Sequence, residues 1–91
     1  MAHTPRSLAD RYLNELDVQD GGTYIVMYTA HGKKPPKEFY RNLDRIVAYG
    51  LAERHAHGSV ICRGRRAAEA VRRIAEHYSL TVRVFKVVEV T

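Results

Sequence analysis

The chain has 91 residues, of which 45% are apolar, enough for one domain with one core and too few for two. No apolar run approaches the roughly 20 residues of a membrane-spanning helix, and a lone cysteine, Cys62, excludes an internal disulfide. Fifteen Lys and Arg against ten Asp and Glu give a net charge of +5, a modest lean toward polyanionic partners.

The opening Met1 to Arg6 lacks the apolar stretch of a secretory signal, so a soluble, cytoplasmic protein is expected. A first helix follows, capped by Ser7 with Asp10 three residues on, and its stripe is Leu8, Tyr12, Leu13 and Leu16. Asp20-Gly21-Gly22 ends it, which divides the chain into an N-terminal helical extension, residues 1–22, and a main domain, residues 23–91. That extension is read as a packing element, to be docked on its own domain or on a partner chain.

Thr23 to Thr29 is a strand-like run. Pro35-Pro36 opens a second helix that runs from Pro36 to about Tyr49, with Phe39, Leu43, Ile46 and Val47 on one face and Gly50 just past its end. An alternating hairpin with Ser59-Val60 near its middle comes next, and then a third helix from Arg65 to Tyr78 with Ala67, Val71, Ile74, Ala75 and Tyr78 inward. Thr81 to Val90 is a last strand. The order β-α-β-β-α-β predicts an α+β domain of split-βαβ, ferredoxin-like plan: an antiparallel sheet with two helices on one face, plus the extra N-terminal helix.

Neither face of the first strand is polar, since Ile25 and Met27 alternate with Tyr24, Val26 and Tyr28. Two helices cover only one side of a four-stranded sheet. Two covers for the other side are open: a second copy of the sheet, giving a two-fold homodimer, or the N-terminal helix. The residues assigned to the dimer interface are Tyr24, Val26, Tyr28, Phe85 and Val87.

The ordered pieces Val26-Met27-Tyr28, Tyr49-Gly50-Leu51, Ser59-Val60 and Val82-Arg83-Val84 resemble the CRISPR-associated protein two family over Thr23 to about Val88. The resemblance implies a symmetric dimer of ferredoxin-like fold, acting as a metal-dependent nuclease on RNA or DNA or as a scaffold that holds duplex DNA. That family has a metal-binding Asp directly after the Tyr that ends its first strand, where this chain has Thr29. A hydroxyl replaces poorly a carboxylate that must supply charge to Mg²⁺. The resemblance therefore points to duplex binding without the nuclease chemistry, with no cofactor, and with Mg²⁺ needed only under a nuclease alternative. The N-terminal helix is a further departure from the family.

Other chemistry is limited. His55 and His57 alternate along a strand, a pattern used by metal-dependent nucleases with a helical Tyr nucleophile, which casts Tyr78 in that role and His31 or Glu53 as a third ligand. Ala56 is small for the middle of that motif, so His55, His57 and Tyr78 stay candidates beside the reading that no catalytic residue is present. Cys62 sits in an apolar strand, where an inert thiol is expected. Tyr24, Tyr28 and Tyr49 fit a base-stacking platform or a packed core equally. Phosphate contacts are assigned to Lys33, Lys34, Lys37, Arg63, Arg65 and Arg66. The expected function is nucleic-acid binding, with an endonuclease or a protein-interaction module as the alternatives.

Overall fold

The computed structural model describes residues 7–90; residues 1–6 and 91, the outer ends of the two expected segments, lie outside the described residues. Its elements are α1 (Leu8–Glu15), β1 (Thr23–Thr29), α2 (Lys37–Ala48), β2 (Ala52–Ala56), β3 (Ser59–Arg63), α3 (Arg65–His77) and β4 (Thr81–Lys86). The four strands form one antiparallel sheet in the order β2-β3-β1-β4, so the molecule is a small α+β domain with three helices. Each crossover, β1-α2-β2 and β3-α3-β4, skips one strand. No helix among the described residues is long and apolar enough to cross a membrane.

The register decides which residues share a face. Val26 at the centre of β1 lies between Val60 of β3 and Val84 of β4, while Ile25 lies between Ile61 and Phe85. Direct partners in an antiparallel pair point to the same side. Tyr24, Val26, Tyr28, Val60 and Cys62 all point toward the helices and are buried in the core with Phe39, Leu43, Ile46, Val71 and Ile74. The Tyr28 ring meets Phe39 of α2 edge-on, with centroids 4.8 Å apart.

This corrects the interface expected from sequence. Tyr24, Val26 and Tyr28 are core residues under the helices, so they cannot share a surface with Phe85, whose partner on β1 is Ile25. The helix-free face instead presents Ile25, Met27, Ile61, Phe85 and Val87; Met27 is 50% exposed, Phe85 45% and Val87 40%. Tyr24 and Tyr28 are likewise unavailable as a stacking platform.

α1 is not the cover for that face. It lies on α2 and α3, and Ala9 and Leu13 join the one core that the rest of the chain builds. α3 is thus covered by the sheet and by α1, which explains why its Ala67, Ala68, Ala70 and Ala75 are all buried: small residues let both neighbours approach closely. α1 ends at Glu15, before the Asp20-Gly21-Gly22 break, because Leu16 turns to an extended conformation (φ −87°, ψ 124°). The helix-start expectation holds, since the Asp10 N–H donates to Ser7 Oγ at 3.1 Å. The end of α2 also behaves as expected, with Gly50 at φ +78°, in the left-handed region where glycine carries no side-chain penalty.

α1 is docked by polar contacts as well as apolar ones. The buried Asn42 accepts the Ala9 N–H at 2.9 Å and donates to the Glu38 carbonyl at 2.8 Å, so one of the donors left free at the start of α1 is satisfied from α2. Asp10 reaches across to Arg45 at 3.0 Å and accepts from the Tyr49 hydroxyl. At the other end of α1, Arg66 Nε donates to the Leu13 carbonyl at 2.7 Å. Replacing Asn42 by Ala strands the Ala9 N–H in the interior, so Asn42→Ala is expected to lower unfolding free energy by about 1–3 kcal/mol, read from urea denaturation.

Candidate nucleic-acid interface

The basic residues expected to contact phosphate fall at opposite ends of the sheet. Arg63 pairs with Thr23 at the start of β1, whereas the lysine loop follows Thr29 at its end. Six residue steps at roughly 3.3 Å each separate the two groups by about 20 Å. They do not form one patch within a single chain.

At the arginine end the backbone is knotted. The Arg65 N–H donates to the Asp20 carbonyl at 2.8 Å and the Gly64 N–H to the Gly22 carbonyl at 2.7 Å. Gly64 has φ +93°, and a Cβ there would sit 3.3 Å from the Asp20 carbonyl, so glycine suits both the conformation and the close approach. The Asp20 carboxylate accepts from the Tyr24 hydroxyl at 2.5 Å, the Gly22 N–H at 2.9 Å and Lys86 Nζ at 3.2 Å. Arg66 Nε is engaged by the Leu13 carbonyl, while the residue itself stays exposed. Arg63 and Arg65 are exposed and make no ion pair among the described residues.

The lysine end is open. His31, Gly32, Lys33 and Lys34 are all exposed between Ala30 and the two prolines that precede α2. On one side of this loop is a cleft of about 290 Å³ walled by Tyr28, Tyr40, His57 and Gly58; on the other is one of about 280 Å³ walled by His31, Tyr78, Ser79 and Leu80. Lys33 and Lys34 line both. The first cleft has a fixed wall, since the Tyr28 N–H donates to the Gly58 carbonyl at 2.9 Å and ties the hairpin turn to β1. His31 Nε2 is hydrogen-bonded to Thr81 Oγ1. Lys37 opens α2 nearby and lines neither cleft.

Thr29 lines the first cleft, and no Asp or Glu lines either one. Neither cleft therefore supplies the side-chain carboxylate by which Mg²⁺ is ordinarily held. Among the described residues no group of three or more His, Cys, Asp and Glu is arranged to hold a metal. His55 and His57 are not the expected strand pair either: the register shifts between Arg54 and Ala56, and His57 lies in the turn beyond β2. Tyr78 ends α3, and burial, the largest cause, raises its hydroxyl above the ordinary phenol value, opposite to what a nucleophile needs. Burial likewise pushes the Cys62 thiol up to about 12, an inert group. Glu53 lies on the open face opposite Ile61.

Sequence reasoning missed the pairing state of the remaining cations. Arg54 is occupied by Asp44 at 2.6 Å and lies over the Tyr40 ring, Arg72 is held by Glu69 and Glu76, and Arg45 by Asp10. A scan against protein-family models and searches of curated proteins and of solved structures find no match to this chain.

The Asp20 knot has a pH consequence. Its carboxyl is held at about 2, below the ordinary 3.8, first by the Tyr24 hydroxyl and then by the Gly22 N–H and Lys86. A carboxyl depressed in the folded state adds stability that is fully present above its unfolded value and lost as pH falls through its folded one. Denaturation midpoints are therefore expected to drop between pH 3.8 and about 2, and Asp20→Asn should flatten that portion of the profile.

Proposed function

We propose that the protein binds duplex nucleic acid in the cytoplasm, without cleaving it, as a homodimer closed over the helix-free sheet face. The observation that carries the binding is the lysine loop: two exposed lysines between two clefts that no Asp or Glu lines. Phosphate contacts of this kind give affinity without sequence preference.

The dimer reading rests on the helix-free row of half-buried Ile25 and Ile61 with exposed Met27, Phe85 and Val87, which α1 leaves uncovered. An apolar sheet face of this sort is stabilised by packing on another, and a second copy is a partner always present. The ferredoxin-like assignment is supported by the two crossovers that each skip one strand, in the order β2-β3-β1-β4. Kinship with the CRISPR-associated protein two family rests on the sequence pieces, with Val26-Met27-Tyr28 in β1, Tyr49-Gly50-Leu51 at the end of α2 and Val82-Arg83-Val84 in β4. Thr29 stands where that family has its metal-binding Asp, so binding without cleavage is expected.

Fluorescence anisotropy with labelled DNA duplex at two salt concentrations tests the binding. Salt-steep binding is expected, with no cleavage on adding Mg²⁺ or Mn²⁺. No binding at low salt would overturn the reading and turn attention to the open sheet face as a protein-docking surface. Light scattering tests the dimer: Phe85→Asp places a charge in the apolar row and should convert a dimeric parent to a folded monomer.

A further inference from the structure

We propose that the Lys33-Lys34 ridge and its two flanking clefts form one phosphodiester-binding site, in which successive phosphates of a strand sit on either side of the ridge. This deepens the nucleic-acid reading and rests on it. The ridge is the place where both lysines border both clefts, which puts two cationic residues beside an anion in either one. Hydrogen-bond donors surround the ridge: His57 and Tyr40 in the first cleft, His31 and Ser79 in the second. Among the described residues no carboxylate that would oppose a phosphate lines either cleft.

A separate observation falls on the second cleft. Ser79 has φ +62°, and it is the one non-glycine residue with positive φ among the described residues. It occupies the position just after α3 where helices usually place glycine: the Leu80 N–H donates to the Ala75 carbonyl at 2.9 Å and the Ser79 N–H to the Glu76 carbonyl at 3.0 Å. A serine there is less favourable for the fold than glycine would be. Sparsely populated backbone conformations of this kind collect at binding sites, and Ser79 is among the residues that line the cleft with the lysines.

The arginine end is the competing location, and the experiment sets one against the other. Binding of labelled DNA duplex is measured across a salt series for the parent, for Lys33→Ala/Lys34→Ala and for Arg63→Ala/Arg65→Ala. The lysine pair should weaken binding more than the arginine pair. It should also make the slope of log K against log salt shallower by about 1.8, at roughly 0.9 for each phosphate neutralised. His57→Glu, which brings a carboxylate into the first cleft, should weaken binding more than Gln19→Glu, which makes the same charge change near the arginine end. Ser79→Gly should raise the melting temperature and still lower affinity, a split that a purely structural residue does not produce.

A parent that binds while the arginine pair carries an equal or larger loss overturns this site and leaves the nucleic-acid reading standing. A parent that does not bind duplex at low salt overturns both. Ser79→Gly with a raised melting temperature and unchanged affinity removes the second cleft from the site, and with it the two-cleft arrangement.

Discussion

Val26 sits between Val60 and Val84 with the helices directly above, and the alternation of a β-strand then assigns every neighbouring side chain. Once Val26 points inward, Tyr24 and Tyr28 must follow, and Ile25 and Met27 must face away. The helix layer answers this choice with size complementarity: the large residues of β1 and α2 meet an α3 that carries alanine at four buried positions. A bulkier α3 would hold its neighbours apart, on the sheet side and on the α1 side alike. One-sided cover is therefore the constraint on which both the docking of α1 and the exposure of the opposite sheet face depend.

The charge of the molecule is spent unevenly as a consequence. Docking α1 outside the helix layer takes Arg45 and Arg66 into contacts with Asp10 and the Leu13 carbonyl, and brings Arg73 near Glu15 and the Tyr12 ring. At the start of β1, Asp20 gathers Tyr24, Gly22 and Lys86 while its carbonyl holds the first N–H of α3. These contacts are mostly at the surface, where an isolated ion pair stabilises little, but together they fix the loop between α1 and β1. The other end of the sheet has no such knot. There the loop after β1 projects two lysines that make no ion pair among the described residues, between clefts walled by the hairpin turn and by the end of α3. The difference between a tied end and an open one, more than the net charge of +5, is what directs the functional reading.

Much of the architecture was legible in the chain. The β-α-β-β-α-β order, the Ser7 cap, the left-handed Gly50 and the limits of α2 and α3 follow from local signals, each readable within a few residues. So did the apolar character of both faces of β1 and hence the need for a cover beyond two helices. Which face the helices take was not legible, because alternation has two mirror solutions and both rows of β1 are apolar; the interface expected from sequence consequently mixed residues of opposite faces. The bulge between Arg54 and Ala56 likewise has no clear local signature, and it separates His55 from His57. The fate of some cations was hidden for a related reason, since Arg66 finds its partner 53 positions away and Lys86 finds Asp20 66 positions away.

The amino-acid sequence by itself determined the elements, their order, their caps and the excess of apolar strand surface, because propensity, periodicity and turn chemistry act between near neighbours. Only the tertiary structure decided which side of the sheet is core, where α1 docks and which cations remain unpaired. Those outcomes turn on strand register and on contacts between residues distant in the chain, where a half-turn of a single strand exchanges the buried row for the exposed one.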